Sequence, residues 1–337
     1  MQPTKPILTL LASLAAAPAV AQEVNVYSSR HYDSDQALYD EFTEQTGIEV
    51  NRIEGNADEM IARIEAEGAN SPADVFLAVD VGRMARAEEA GILAPFDSEL
   101  IEERIPETLR HPEDLWFGVS RRARIIFYAK DRVEEPPQTY EDLADPKWEG
   151  MLCIRSSSNV YNQSLLASMI EVHGEAEARE WAEGIVANMA RPPEGGDTDQ
   201  LRGLVSGECD LAVSNHYYFL RAFESDVDGL SDSVDSIGWV WPNQEGRGAH
   251  VNLATASLTA AAPNPDEARQ LLEFLTTDYA QRHFANQNDE YPAVEGVVAE
   301  TDTARLGEFK ADTETPTAAF SANATAAQEM FNEVGWD

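Results

Sequence analysis

Basic residues are scarce. The 337-residue chain carries 24 Lys and Arg against 61 Asp and Glu, a formal net charge of −37. A field of that sign makes poor partners of nucleic acid and anionic lipid surfaces. Solubility accounts for most of the charge, although a cationic ligand would also gain from it. Cysteine is nearly absent, with Cys153 and Cys209 the only two. They form no C-x-x-C and have no His at ligand spacing, so they fit no zinc pattern. Beyond the first residues, no apolar run is long enough to cross a bilayer. There is no low-complexity tract and no internal repeat, which argues against solenoids and disordered tails. No G-x-S-x-G, H-E-x-x-H or P-loop string occurs, so the reading as an enzyme, such as a secreted hydrolase, has no chemistry to stand on.

What is present begins with an export signature. Lys5 precedes the apolar run "ILTLLASLAAA", and "AVA" at 19–21 has the small-x-small form of a cleavage site. Residues 1–21 read as a secretory signal, with Gln22 as the mature start of an exported protein; the alternative is an N-terminal helix that stays. Hydrophobic residues make up 43% of the chain, ordinary for a globular protein, and the length suits two domains with a core each.

Strand and helix patterns alternate along the chain. "EVNVYSS", "IEVNRIEG" and "ADVFLAV" read as strands, separated by helices over "DSDQALYDEFTEQTG" and "ADEMIARIEAEG". A long strand, "WFGVSRRARIIFYAKDRV", opens a second α/β unit. There "MLCIR" and "CDLAVSN" are strands that deliver the helices "VYNQSLLASMIEVHG" and "HYYFLRAF". "AHVNLATASL" returns to the first unit as a strand, and "NPDEARQLLEFLTTDYAQRHFANQ" follows as helix. The expectation is two doubly wound α/β domains joined by crossing strands: 22–122 plus 242–296, and 123–241 plus 297–337. Ligands bind at the carboxyl ends of such strands, and hinged domains close on them. His31–Tyr32, Tyr161 and Tyr217–Tyr218 all fall at those strand-to-helix mouths.

"VNVYSSRHY", "NSPADVFLAVDVGRM", "CIRSSSNVYNQSLLASMI" and "SGECDLAVSNHYYFLR" make the mature chain resemble the periplasmic solute-binding proteins of ABC importers. Within them it resembles the ferric-iron-binding branch in its tyrosine-rich, anion-independent form. The resemblance implies a type II, transferrin-like periplasmic fold, Fe(III) as cargo, and delivery to an inner-membrane permease by a monomeric carrier. It implies His31, Tyr32, Tyr161, Tyr217 and Tyr218 as ligands. The chemistry agrees. Fe(III) is hard and trivalent and favours anionic oxygen, while a phenol near pKa 10 ionises at neutral pH only with a metal's help. Four phenolates on Fe(III) leave a formal charge of minus one, and Arg30, Arg124 and Arg221 are the cations placed to offset it. The sequence departs from glutamate-using ferric binders at Val79, which cannot ligate. On the dipeptide alone, Tyr217–Tyr218 reads more readily as packing at a domain edge, and it is four Tyr at three mouths with a His that reverse this; a carrier of polyamine, thiamine or an organic anion remains an alternative. His216 is expected to be solvated or to stand behind the ligands.

Cys153 lies in the strand leading to Tyr161, and Cys209 is expected to start the strand leading to Tyr217. Neighbouring parallel strands are about 4.8 Å apart, within disulfide reach. An oxidising compartment then favours a Cys153–Cys209 bridge, with two buried thiols as the alternative.

Overall fold

The computed structural model describes residues 22–30, 32–298 and 305–337. The expected signal segment and His31 lie outside these residues. In the first lobe, β1 (Glu23–Ser28) pairs in parallel with β2 (Glu49–Glu54) and β3 (Val75–Ala78). Between and after them run α1 (Asp35–Thr46), α2 (Ala57–Glu67) and α3 (Val81–Glu89). Each boundary has a local cause. Gly47 adopts φ 76° and stops α1, a left-handed geometry that favours glycine. Asn56 caps α2 by accepting from the Asp58 amide, and Met60, Ile61 and Ile64 form its buried face. β4 (Leu93–Ala94) and α4 (Glu99–Arg104) complete this stretch.

The 13-residue β5 (Phe117–Ala129) then carries the chain across. The second lobe contains β6 (Leu152–Cys153), α5 (Val160–His173), α6 (Glu175–Asn188) and α7 (Asp197–Ser206). It continues through β7 (Leu211–Asn215), α8 (His216–Glu224) and β8 (Ile237–Val240). The chain returns through β9 (Val251–Thr259), α9 (Pro265–Phe274), α10 (Asp278–Asn288) and β10 (Tyr291–Pro292). It closes with α11 (Ala318–Ala322) and α12 (Ala324–Val334).

The strand path is β2-β1-β3-β9-β5-β7-β6, with β10 and β8 also on β5 and β4 on β9. β5 serves both halves. Residues 117–123 pair with β9, whereas residues 124–129 pair with β7 and β8. Its second half is buried on both faces: Ile126 packs with Leu165, Trp181 and Phe331, while Ile125 and Phe127 pack with Leu204 and Phe219. That two-sided burial is what helices on both faces of a sheet produce. A separate cluster, with Val26, Phe42, Phe76, Leu271 and Phe284 at its centre, fills the first lobe. A fully buried side chain of this kind contributes about 1.5–3 kcal/mol.

Two sequence expectations change. The helix expected over 264–287 is two, because Thr277 starts a new one by accepting the Ala280 amide. Cys209 lies two residues before β7, in the turn from α7. It is still disulfide-bonded to Cys153 of β6, with the Cα atoms 5.8 Å apart. Gly203 of α7 packs directly on the bridge: a Cβ there would lie 2.6 Å from Cys209 Sγ and 3.0 Å from Cys153 Sγ.

Candidate metal centre

Three strand-to-helix mouths meet at one opening. Tyr32 follows β1, in the turn that leads into α1. Tyr161 is the second residue of α5, whose cap Asn159 accepts the Tyr161 amide. Tyr217 and Tyr218 are the second and third residues of α8, which follows β7 without a loop. Successive residues on a helix point about 100° apart, so two adjacent phenols converge only where the helix begins. Here their rings lie 4.5 Å apart at 35°. Tyr217 Oη donates to Tyr161 Oη at 3.3 Å and accepts from Asn215 Nδ2 at 3.3 Å. Tyr32, Tyr161, Tyr217, Tyr218, Val79, Arg122 and Arg221 line an opening of about 390 Å³. A larger groove of about 690 Å³ runs between α4 and residues 294–297, away from the tyrosines. Among the described residues, no group of three or more His, Cys, Asp or Glu could hold a metal.

Burial holds Tyr32, Tyr217 and Tyr218 protonated. It pushes Tyr32 well above the usual phenol range, with Glu290 adding to the rise. Burial raises Tyr217 too, helped by Tyr161, Tyr218 and Tyr32. Tyr218 is pushed up to about 12, again chiefly by burial. At neutral pH Tyr32, Tyr217 and Tyr218 are therefore neutral phenols, and Tyr217 is hydrogen-bonded to Tyr161. Only a strongly charged cation offsets the cost of ionising several of them together.

The arginines divide by partner. Arg30 is buried, with its guanidinium 4.9 Å from the Tyr32 ring centre, and it is held by Asp35 at 3.0 Å and Glu290 at 2.9 Å. Arg124 is bound to Asp197 at 2.8 Å and to Asn162 and Asn215. Arg155 reaches the same Asp197 at 2.8 Å. Arg221 lies 5.6 Å from the Tyr218 ring.

Arg122, absent from the sequence reading, stands 5.6 Å from the Tyr161 ring centre and is 2% exposed. Its only hydrogen bond among the described residues goes to the Leu253 carbonyl; its Nε has none, and no carboxylate lies in ion-pair reach. Burial opposes its charge, but Tyr217, Tyr161, Glu290 and Asp80 hold it above the usual arginine range. A signal for it existed: residues two apart on a strand share a face, and Arg122 is two before Arg124.

Of the two places expected for His216, in solvent or behind the ligands, it takes the second: it is fully buried, with its ring centre 5.6 Å from that of Tyr217. Its Nε2 lies 2.6 Å from the Asp289 carbonyl, and its Nδ1 faces the Ala123 backbone at 3.2 Å. Burial lowers its pKa to about 4, so it stays neutral. It fastens the start of α8 to β5 and to the turn before β10.

Comparison with known proteins follows the same lines. Residues 70–312 match the model of the bacterial extracellular solute-binding protein family, and the chain belongs to that family. It is 49% identical to iron uptake protein A1 of Synechocystis over 96% of this chain and 90% of that protein. It is 28% identical to the major ferric iron-binding protein of Neisseria meningitidis over 86% of both. Among solved structures, a Trichodesmium protein (IdiA, FutA) in complex with iron and citrate superposes with a TM-score of 0.90 at 49% identity, covering 94% of this chain and all of that one. The ferric binding protein of Campylobacter jejuni superposes at 0.85 with 36% identity, over 93% of this chain and all of that one.

Proposed function

We propose that this protein is a periplasmic carrier that captures Fe(III) between its lobes and delivers it to the permease of an ABC importer. The observation that carries the reading is the convergence of Tyr161, Tyr217 and Tyr218 with Tyr32 on one opening. Those four supply phenolates, and His31 adds a neutral imidazole. No bound anion is required to complete an anionic oxygen shell. Arg122 balances the residual negative charge, because Arg30 and Arg124 already serve carboxylates. Residues 22–122 plus 242–296 form one lobe and 123–241 plus 297–337 the other. Residues 1–21 act as the export signal. The protein binds and releases its cargo as a monomer and catalyses no reaction.

The relatives' functions in iron uptake and ferric iron binding support this cargo over a polyamine, thiamine or organic anion. Loading the iron-free protein with ferric nitrilotriacetate tests it. The expected result is a visible phenolate-to-iron charge-transfer band, lost on adding a strong chelator or a reductant. A colourless protein that retains no iron after gel filtration overturns the reading.

A further inference from the structure

Asp80 follows Val79, which lines the opening, and is fully buried. It caps α3 in the first lobe, its Oδ1 accepting the Gly82 amide at 2.8 Å. The same oxygen accepts the Ser164 hydroxyl at 3.1 Å. Ser164 belongs to the second lobe. It lies on α5 three residues beyond Tyr161, hence one turn along the same helix face. The hydrogen bond therefore joins the lobe that carries Tyr32 to the helix that carries Tyr161.

The surroundings show that this carboxylate does more than cap. A cap at the start of α3 needs one oxygen. Asp80 Oδ2 is buried with no hydrogen-bond partner among the described residues. Two buried donors nearby are also unmatched. Asn252 accepts the Val81 amide through Oδ1, leaving its Nδ2 unpaired. Arg122, whose field acts on Asp80, has its Nε unpaired. Buried polar groups left in that state carry a desolvation cost. The bond to Ser164 is one that the α3 cap does not require, and it crosses from the start of α3 to α5. Beside it, Ser321 Oγ approaches the Val81 carbonyl at 3.5 Å.

We propose that Asp80 is a positioning residue for iron retention: it latches the closed cleft through Ser164 and so holds Tyr161 against the lobe that carries Tyr32. The inference rests on the ferric reading above. It assigns the slow step of release to rupture of this latch as well as to the metal–oxygen bonds.

The decisive variant is Ser164→Ala in the full mature chain, loaded with Fe(III) from ferric nitrilotriacetate. It removes the cross-lobe bond and leaves both the α3 cap and the phenols in place. Iron release to excess EDTA is expected to accelerate about tenfold, the scale of one hydrogen bond to a charged acceptor. The charge-transfer band stays unshifted, the iron-free melting temperature stays within about 1 °C, and Ser164→Thr, which keeps the hydroxyl, restores slow release. Asp80→Asn keeps both acceptor contacts but removes the charge, and falls between. Release at the wild-type rate overturns the latch. So does a shifted band or an iron-free melting temperature lowered in step, since either would make the contact part of the resting scaffold. Failure of the ferric reading looks different: the wild type itself shows no band.

Discussion

The two lobes bring unequal shares to the site. The second lobe presents Tyr161, Tyr217 and Tyr218 on the first turns of α5 and α8, already joined by a 3.3 Å hydrogen bond and an oblique ring contact of 4.5 Å. The Cys153–Cys209 bridge ties β6 to the turn that leads into β7, at the end of that strand away from Tyr217. The first lobe presents Tyr32 from a turn, steadied by Arg30 and its two carboxylates. One half is therefore a nearly complete oxygen face held by regular structure, and the other a single phenol that arrives with the lobe. On the proposed ligand set, the expected order is that metal meets the second lobe first and the first lobe then closes on it.

That asymmetry is broken most severely at Tyr217. Tyr217→Phe removes one oxygen and the centre of the hydrogen-bonded set, while the ring still fills its buried place. Iron affinity is expected to fall about a hundredfold or more, beyond the scale seen for groups that merely support ligands. The charge-transfer band should bleach or shift, as followed by titration against citrate. Tyr32→Phe should weaken binding less but abolish the compaction that small-angle scattering reads on loading. Equal affinity losses at the two positions, both with normal compaction, would erase the distinction between the lobes.

Acid comes next. Each phenol that ligates must lose its proton, so affinity falls as pH falls, by up to roughly ten-thousandfold per unit when four protons compete. The sign for the iron-free protein is separate. Tyr32, Tyr217 and Tyr218 have phenol pKa values raised by burial above the unfolded value near 10. Their contribution to stability is thus fully present below about pH 10 and is lost as pH rises through the folded values. An iron-free protein equally stable at pH 7 and pH 9 but weakening above about pH 10 is expected from chemical melts. Iron retention should meanwhile decline steadily from pH 8 to pH 5.

The alternation of strand and helix, and the four tyrosines at its turning points, were legible because both are local patterns. Period-2 and period-3.6 hydrophobicity placed β1, α2 and β7. Burial at the start of a helix explains how adjacent Tyr217 and Tyr218 can converge. What was not legible depends on three-dimensional pairing. Arg124 looked like a free cation until Asp197, 73 residues later, appeared beside it. Arg122 drew no notice in the sequence, because what sets it apart, a buried guanidinium beside Tyr161 with its Nε unpaired among the described residues, depends on neighbours in space. His216 takes the second of its two expected places, behind the tyrosines; the sequence could not decide between them, because its partners, Ala123 and Asp289, are backbone groups that leave no mark in composition.

The disulfide sharpens the comparison from the stability side. Closing a loop of 56 residues lowers the entropy of the unfolded chain by an amount worth about 4 kcal/mol, less any strain. The double variant Cys153→Ser/Cys209→Ser should lower stability by up to that amount in denaturant melts. Its iron affinity should drop only modestly, because Tyr161 and Tyr217 keep their helices. An affinity loss as large as that of Tyr217→Phe would mean that the bridge, and not the helix starts, assembles the oxygen face.

The smallest effect separates charge from ligation. Arg122→Gln keeps a donor for the Leu253 carbonyl but removes the positive charge beside Tyr161. Four phenolates on Fe(III) then carry their formal charge of minus one with no unpaired cation buried beneath them. Ionising the last phenol becomes harder, so the pH at which half the iron is released should rise by about one unit, the change produced by one charge of this kind at short range. The band should move little, because no ligand atom is lost. Arg30→Gln is the control, since the cation it removes is already matched by Asp35 and Glu290. It should destabilise the first lobe and leave the pH midpoint close to the wild type. If the two variants shift the midpoint alike, the charge that balances the site is spread over the surrounding arginines, and Arg122 has no special share.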